Sequence, residues 1–391
     1  MRFQSNKMAA IPPYMFAELN KKKASLLESG VDVIDLGIGD PDLPTPTHIV
    51  EKLIEEIQRP ENSKYPSFIG DRRFRQAVAN FYKKRFDVDL NPDTEVLALI
   101  GSKEGIAHIV PTLINPGDHV LIPDPGYPPY RTATYLAEGK VYDMPLKKEF
   151  NYQPNFSAIP EEVLASSKLM FLNYPGNPTT ATVDADFFTN AISFAESQNI
   201  VIAHDSAYNM VTFEDYKAPS ILQADGAKKV AVEFGSLSKT YSMTGYRIGY
   251  VVGNKEIIKA LSVYKSNIDT GQFTPIQLAA AHALNSDQSC TQKHSKIYEA
   301  RMQAMTKGLK EIGIEVPPPK GSFFIWAPVP EGYTSTEFAT AVLDQAGVIV
   351  TPGNAFGPSG EGYFRISLSV PSDILHEAIN RIKKNIKITS K

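Results

Sequence analysis

Through the middle half of the chain, short apolar runs rich in β-branched residues end in small polar or Pro/Gly-rich turns, and amphipathic stretches follow them. The runs lie at 95–100, 119–122, 140–144, 168–172, 200–203 and 230–234, with helical patterning at 106–113 and 185–199. Parallel strands need long, usually helical crossovers, so this alternation predicts an α/β fold around a mostly parallel sheet. Open sheets of this kind bind ligands beyond the carboxyl ends of their strands. Ser102, Tyr127, Asn177, Asp205 and Lys239 all fall at or just after such an end. They are the candidate site residues.

Lys239 stands in Ser236-Leu237-Ser238-Lys239-Thr240, which Thr244-Gly245-Tyr246-Arg247 closes. A solvated lysine, with a pKa of about 10.4, becomes a nucleophile at neutral pH only if burial or a neighbouring cation such as Arg247 lowers that value. Gly101-Ser102-Lys103-Glu104-Gly105 joins a strand to an apolar helix. That arrangement suits an anion, because free N–H groups and the helix dipole point at it, and it also serves as an ordinary helix cap. Residues 33–42 form a strand breaking into a Gly/Pro/Asp loop, in which Gly39 allows close approach to the backbone. A dinucleotide motif would need a third glycine and a helix where Leu43 and Pro44 stand. The prolines of residues 123–130 make a rigid loop that would hold the Tyr127 ring steady.

The net charge of −3 over 391 residues, without a basic stripe, argues against a nucleic-acid partner. An apolar content of 42% and no run approaching the roughly 18 apolar residues of a membrane span point to a soluble, cytoplasmic protein. Cys290 is the single cysteine, which excludes an internal disulfide, and the seven histidines contain no His-Glu-x-x-His pair. Metal catalysis is disfavoured. A helical region is expected from just past Gly253 to about Leu284, and another at 293–312. The Pro-rich junction at 315–321 then leads into a smaller α+β unit, with strands at 322–327, 348–350 and 363–367 and a helix at 335–346.

As an ordered set, these positions resemble the fold-type I pyridoxal-phosphate enzymes, specifically the class I/II aminotransferases, over essentially the whole chain. Asn177 precedes Asp205 by 28 residues, Asp205 precedes Lys239 by 34, and Lys239 precedes Arg247 by 8. The resemblance implies a large domain, 46–285, built on a mostly parallel seven-stranded sheet between helices. It also implies an arm and part of the small domain at 1–45, and the rest of an α+β small domain at 286–391. The implied cofactor is pyridoxal 5′-phosphate. Lys239 would bond its aldehyde and later move a proton between substrate and cofactor, Asp205 would pair with the ring nitrogen, and Tyr208 and Asn177 would bond the ring oxygen. Tyr127 would stack on the ring. Ser102, the N–H groups of Lys103 and Glu104, Ser236, Ser238 and Arg247 would hold the phosphate. Tyr65 would be lent to a neighbouring subunit's phosphate, which implies a homodimer with shared sites. Arg365 would grip the substrate carboxylate, aided by Gly39 and Asn177.

Within the class, the segments at 12–19, 35–46, 100–109 and 236–241 are similar to the LL-diaminopimelate aminotransferases. That likeness implies transfer between LL-diaminopimelate and 2-oxoglutarate, in lysine biosynthesis, with Tyr14 and Lys103 facing the substrate. The family supplies a glutamate, in the loop after the phosphate tyrosine, to meet the distal ammonium. Here the loop reads Ser67-Phe68-Ile69-Gly70. Aspartate, aromatic and methionine donors therefore stand as alternatives, and β-lysis is a further chemistry of the same fold.

Overall fold

The computed structural model describes residues 3–9, 11 and 15–386. Among the described residues twelve strands follow one another: β1 Ile34–Asp35, β2 Val96–Leu99, β3 His119–Asp124, β4 Lys140–Pro145, β5 Ser167–Asn173, β6 Val201–Asp205, β7 Ala231–Ser236, β8 Gly249–Gly253, β9 Phe324–Pro328, β10 Val348–Ile349, β11 Thr351–Pro352 and β12 Tyr363–Ser367. Seven form the main sheet in the order β2-β8-β7-β6-β5-β3-β4, and only β8 runs antiparallel to its neighbours. Helices cover both faces, which is why β2, β7 and β8 are almost wholly buried runs rather than alternating ones.

Chain order reverses at β3, which has β4 on one side and β5 on the other. Connections leaving β3 and β5 diverge there and open a crevice at the carboxyl ends. Tyr127 follows β3 and Asn177 follows β5.

Among the boundaries that differ from the expectation, two trace to a single residue each. The helix expected from residue 106 begins at Ser102, because Gly101, at φ 77°, makes the turn that a side chain would resist. The helical region after Gly253 is two helices, Lys255–Ser266 and Thr274–Asn285. Pro275 starts the second, since proline is suited to a first turn and breaks an interior.

β9, β11 and β12 form an antiparallel sheet, which helices Ser289–Glu311, Ser335–Ala346 and Ser372–Asn385 cover. β1 pairs parallel with β10, so residues 34–35 belong to this C-terminal unit although they precede the main sheet. The loop after β1 is fastened to it. Thr351 Oγ1 donates to the Gly37 carbonyl at 3.0 Å, and Ser369 Oγ donates to that of Ile38 at 3.1 Å. Arg301 grips Asp42 with both terminal nitrogens, at 2.7 and 2.8 Å, and also donates to the Leu368 carbonyl at 3.0 Å. Among the described residues no helix is long and apolar enough to cross a membrane.

Removing Arg301 leaves the partly buried Asp42 carboxylate without its bidentate partner. Arg301→Met should destabilise this unit by about 3 kcal/mol. Trp326, the only tryptophan, lies in β9, so its fluorescence during urea denaturation would report the earlier transition directly.

Candidate active site

Three neighbouring strand ends are joined by hydrogen bonds before any ligand is considered. Asn173, the last residue of β5, donates its amide to the Asp205 carbonyl at 2.7 Å and accepts from the Asn177 N–H at 2.8 Å. It thereby holds the Asn177 loop against the end of β6. Tyr130 donates to Asp205 Oδ2 at 2.8 Å and stacks on Phe171, with ring centroids 4.6 Å apart. Tyr127 lies edge-on to Tyr130 at 5.6 Å. Asn173 and Tyr130 are not among the residues expected from sequence, since one closes an apolar run and the other sits in the first turn of a helix.

These residues border a cavity of about 440 Å³. Ser102, Ser236, Ser238, Arg247, Tyr127, Asp205, Tyr208 and Lys239 line it. Gly39, Lys103, Asn177 and Arg365 complete the set. Arg365 is buried and donates to Asn177 Oδ1 at 2.7 Å and to the Gly37 carbonyl at 2.6 Å, with its guanidinium 4.1 Å from the Phe324 ring centroid. Tyr208 packs edge-on against Phe323 and Phe324, and burial pushes its phenol far above the ordinary value. Gly39 passes so close to Phe324 that a Cβ would lie 2.5 Å from its ring.

Two expected residues, Glu104 and Tyr65, do not line this chain's cavity. Glu104 turns its side chain away from the cavity, to the Ile100 N–H at 2.6 Å and Lys265 at 3.2 Å. Its own N–H donates to the Gly101 carbonyl at 3.2 Å and so closes the turn. Tyr65 is 89% exposed and does not line this chain's cavity. Tyr14 lies outside the described residues.

Lys239 sits on the single helical turn after β7 and donates to the Gly39 carbonyl at 2.8 Å. Burial brings its amine down to about 8, with Arg365 and Arg247 adding to the shift and the Asp40 and Asp205 carboxylates opposing it. Of burial and a neighbouring cation, burial is therefore the larger cause.

The sequence model for "Aminotransferase class I and II" matches residues 31–382. The chain belongs to the class I and II aminotransferases. It is 51% identical over 384 residues to an LL-diaminopimelate aminotransferase of Aquifex aeolicus, covering 98% of this chain and 99% of that one. It is 48% identical over 381 residues to one from Moorella thermoacetica, covering 97% and 98%. The structure of substrate-bound BacF from Bacillus subtilis superposes with a TM-score of 0.96 at 39% identity, covering all of both chains.

This aminotransferase thus uses pyridoxal phosphate to move amino groups between amino and 2-oxo acids. The cavity suits that group on its own geometry. Asp205 Oδ1 is buried and meets no donor at hydrogen-bonding geometry among the described residues, although the Ala207 N–H is near enough to favour its charge. At the turn, a Cβ on Gly101 would lie 2.5 Å from Arg247 Nη2, and one on Gly249 would lie 2.8 Å from the Ser102 nitrogen. Glycine at both positions keeps an anion cradle open.

The lowered Lys239 value also fixes a stability signature of the cofactor-free enzyme. Below pH 8 the lysine is charged both folded and unfolded, and the folded state bears the cost of burying it. Between about 8 and 10.5 the folded lysine loses its proton first, and that cost is lost as pH rises. Lys239→Met should therefore raise the unfolding free energy of the cofactor-free enzyme at pH 7 by up to about 3 kcal/mol. Urea denaturation should show the gain shrinking towards pH 10.

Proposed function

We propose that the enzyme is a cytoplasmic homodimer that transfers an amino group between LL-diaminopimelate and 2-oxoglutarate, and that the residues expected from sequence carry out the transfer. The observation that carries the substrate reading is near-half identity, over almost the whole chain, to enzymes bearing that name. Bound pyridoxal phosphate supplies an aldehyde for amino-group exchange and a ring that accepts the electron pair left at Cα.

The chain does the rest. Lys239 Nζ, neutral in good part near pH 8, takes the proton from the substrate Cα and returns it on the other side of the exchange. Asp205 Oδ1 would meet the ring nitrogen, Tyr208 and Asn177 would meet the ring oxygen, and Tyr127 would lie against the ring. Ser102, Ser236, Ser238, Arg247 and the first N–H groups of helix Ser102–Leu113, Lys103 among them, hold the phosphate. Arg365 offers its fork to the α-carboxylate, with Asn177 and the Gly39 backbone beside it.

Homodimer formation gives Tyr65 a use. Tyr65, Phe68, Ile268 and Phe273 stand exposed where residues 66–68 pack beside Gly271. An apolar cluster of that kind suits a subunit interface. We also propose a domain division near residue 286, with residues 1–45 shared between the arm and the smaller unit.

The distal end of the substrate is the specific point of recognition. Ile69 packs into the core, so Phe68 is the apolar side chain that its loop presents. Asp71 is committed elsewhere, capping helix Arg72–Phe86 and pairing with Arg73 at 2.8 Å. Among the described residues lining the cavity, Asp40 is the carboxylate besides Asp205, and Lys103 is a cation beside it. Asp40 would meet the distal ammonium, and Lys103 the distal carboxylate.

Single-turnover rates should be highest with LL-diaminopimelate in a panel that includes glutamate, aspartate, methionine and phenylalanine. A faster reaction with phenylalanine would favour the aromatic reading, for which Phe68 speaks. Asp40→Asn should slow diaminopimelate about tenfold, consistent with loss of one charge pair, and leave phenylalanine nearly unchanged. Lys239→Ala should lose the bound cofactor's visible band and all turnover while the fold remains.

A further inference from the structure

Immediately behind Asp205, facing the other side of the sheet as strand alternation requires, is a buried polar cluster that the chemistry above leaves unused. His204 and Glu233 are both 0% exposed. Their strands are adjacent, and β6 and β7 place them in register. His204 Nδ1 lies 2.9 Å from Glu233 Oε2, and its Nε2 lies 3.2 Å from the Tyr174 carbonyl oxygen. The edge of the Phe188 ring closes the pocket, with centroids 4.8 Å apart.

The protons can be placed from the partners. A carbonyl oxygen only accepts, so Nε2 must carry hydrogen. Glu233 already receives the Tyr82 hydroxyl at 2.6 Å, the Ser220 hydroxyl at 2.9 Å and the Ile221 N–H at 2.9 Å. Three donors converging on one carboxyl group favour its charged form, which accepts from Nδ1 as well. Both ring nitrogens therefore donate, and a buried carboxylate needs a paired charge.

We propose that His204 is a doubly protonated imidazolium, and that its charge, one residue before Asp205, makes it a positioning residue that keeps Asp205 ionised towards the cofactor ring. The second half rests on Asp205 being the ring-nitrogen partner. The neighbouring groups bear on the balance from each side. Glu233 on β7 is the counter-charge, Tyr82 and Tyr250 bring hydroxyls from helix Arg72–Phe86 and β8, and Lys239 faces Asp205 from the cavity. Burial pushes the Asp205 carboxyl up, and the Tyr130 hydroxyl and then His204 pull it back. The same imidazolium also pins the Tyr174 carbonyl, where the loop to Asn177 begins.

Neutron diffraction from perdeuterated crystals, with and without pyridoxal phosphate, tests both halves on the unaltered enzyme. Deuterium is expected on both His204 nitrogens in each crystal, with Glu233 bare and Asp205 bare even without cofactor. A deuteron on Glu233 and one bare His204 nitrogen would overturn the imidazolium, and a deuterated Asp205 in the cofactor-free crystal would overturn its positioning role. If instead Asp205 is bare but faces no ring nitrogen in the holoenzyme, the cofactor reading fails while the imidazolium stands. The double variant H204Q/E233Q removes both charges together and keeps amide donors and acceptors in place. In the holoenzyme it should move the pH midpoint of the visible band by about one unit and lower kcat about tenfold, with KM within about twofold. An unchanged midpoint and kcat would count against the role.

Discussion

Keeping one lysine amine out of water is the constraint on which this structure depends. Lys239 reaches its place because β7 ends there, and it stays there because its amine donates to the Gly39 carbonyl, which belongs to a loop fastened to the smaller unit. Burial gives the lysine a proton affinity matched to neutral-pH chemistry.

The same principle extends through the site as a chain of buried polar contacts. Arg365 joins the smaller sheet to Asn177, Asn173 joins Asn177 to the end of β6, and Tyr130 steadies Asp205 from the β3 side. Each buried polar group is expensive unless it is satisfied, so these contacts specify one arrangement of strand ends. Beneath them, His204 and Glu233 add a charge pair that touches neither the cavity nor solvent. Asp40, which also lines the cavity, stands exposed.

Much of this was legible in the chain before any coordinates. Ser102, Tyr127, Asn177, Asp205 and Lys239 show as polar interruptions after apolar runs, because a parallel sheet buries its strands and releases polar residues only at their ends. The residues that orient them did not show. Asn173 looks like the end of a strand, Tyr130 like part of a turn, and His204 like a neighbour of Asp205, since their roles come from partners 29 to 75 residues away. Where the Glu104 side chain goes did not show either. Its place in the Ser102 turn was evident, but a buried Lys265 from a distant helix draws the carboxylate away from the cavity.

The sequence by itself determined the alternation of strands and helices, and the strand-end set and its order, because hydrophobic period and turn residues are local properties, and the cofactor chemistry was implied by the family that this ordered set resembles. Tertiary structure alone decided that the region after Gly253 would break at 267–273, and that burial more than Arg247 would lower the Lys239 amine. Those outcomes depend on which surfaces meet and how far water is excluded between them. Desolvation is a property of the packed volume around a group, and it is not encoded in the residues on either side of it.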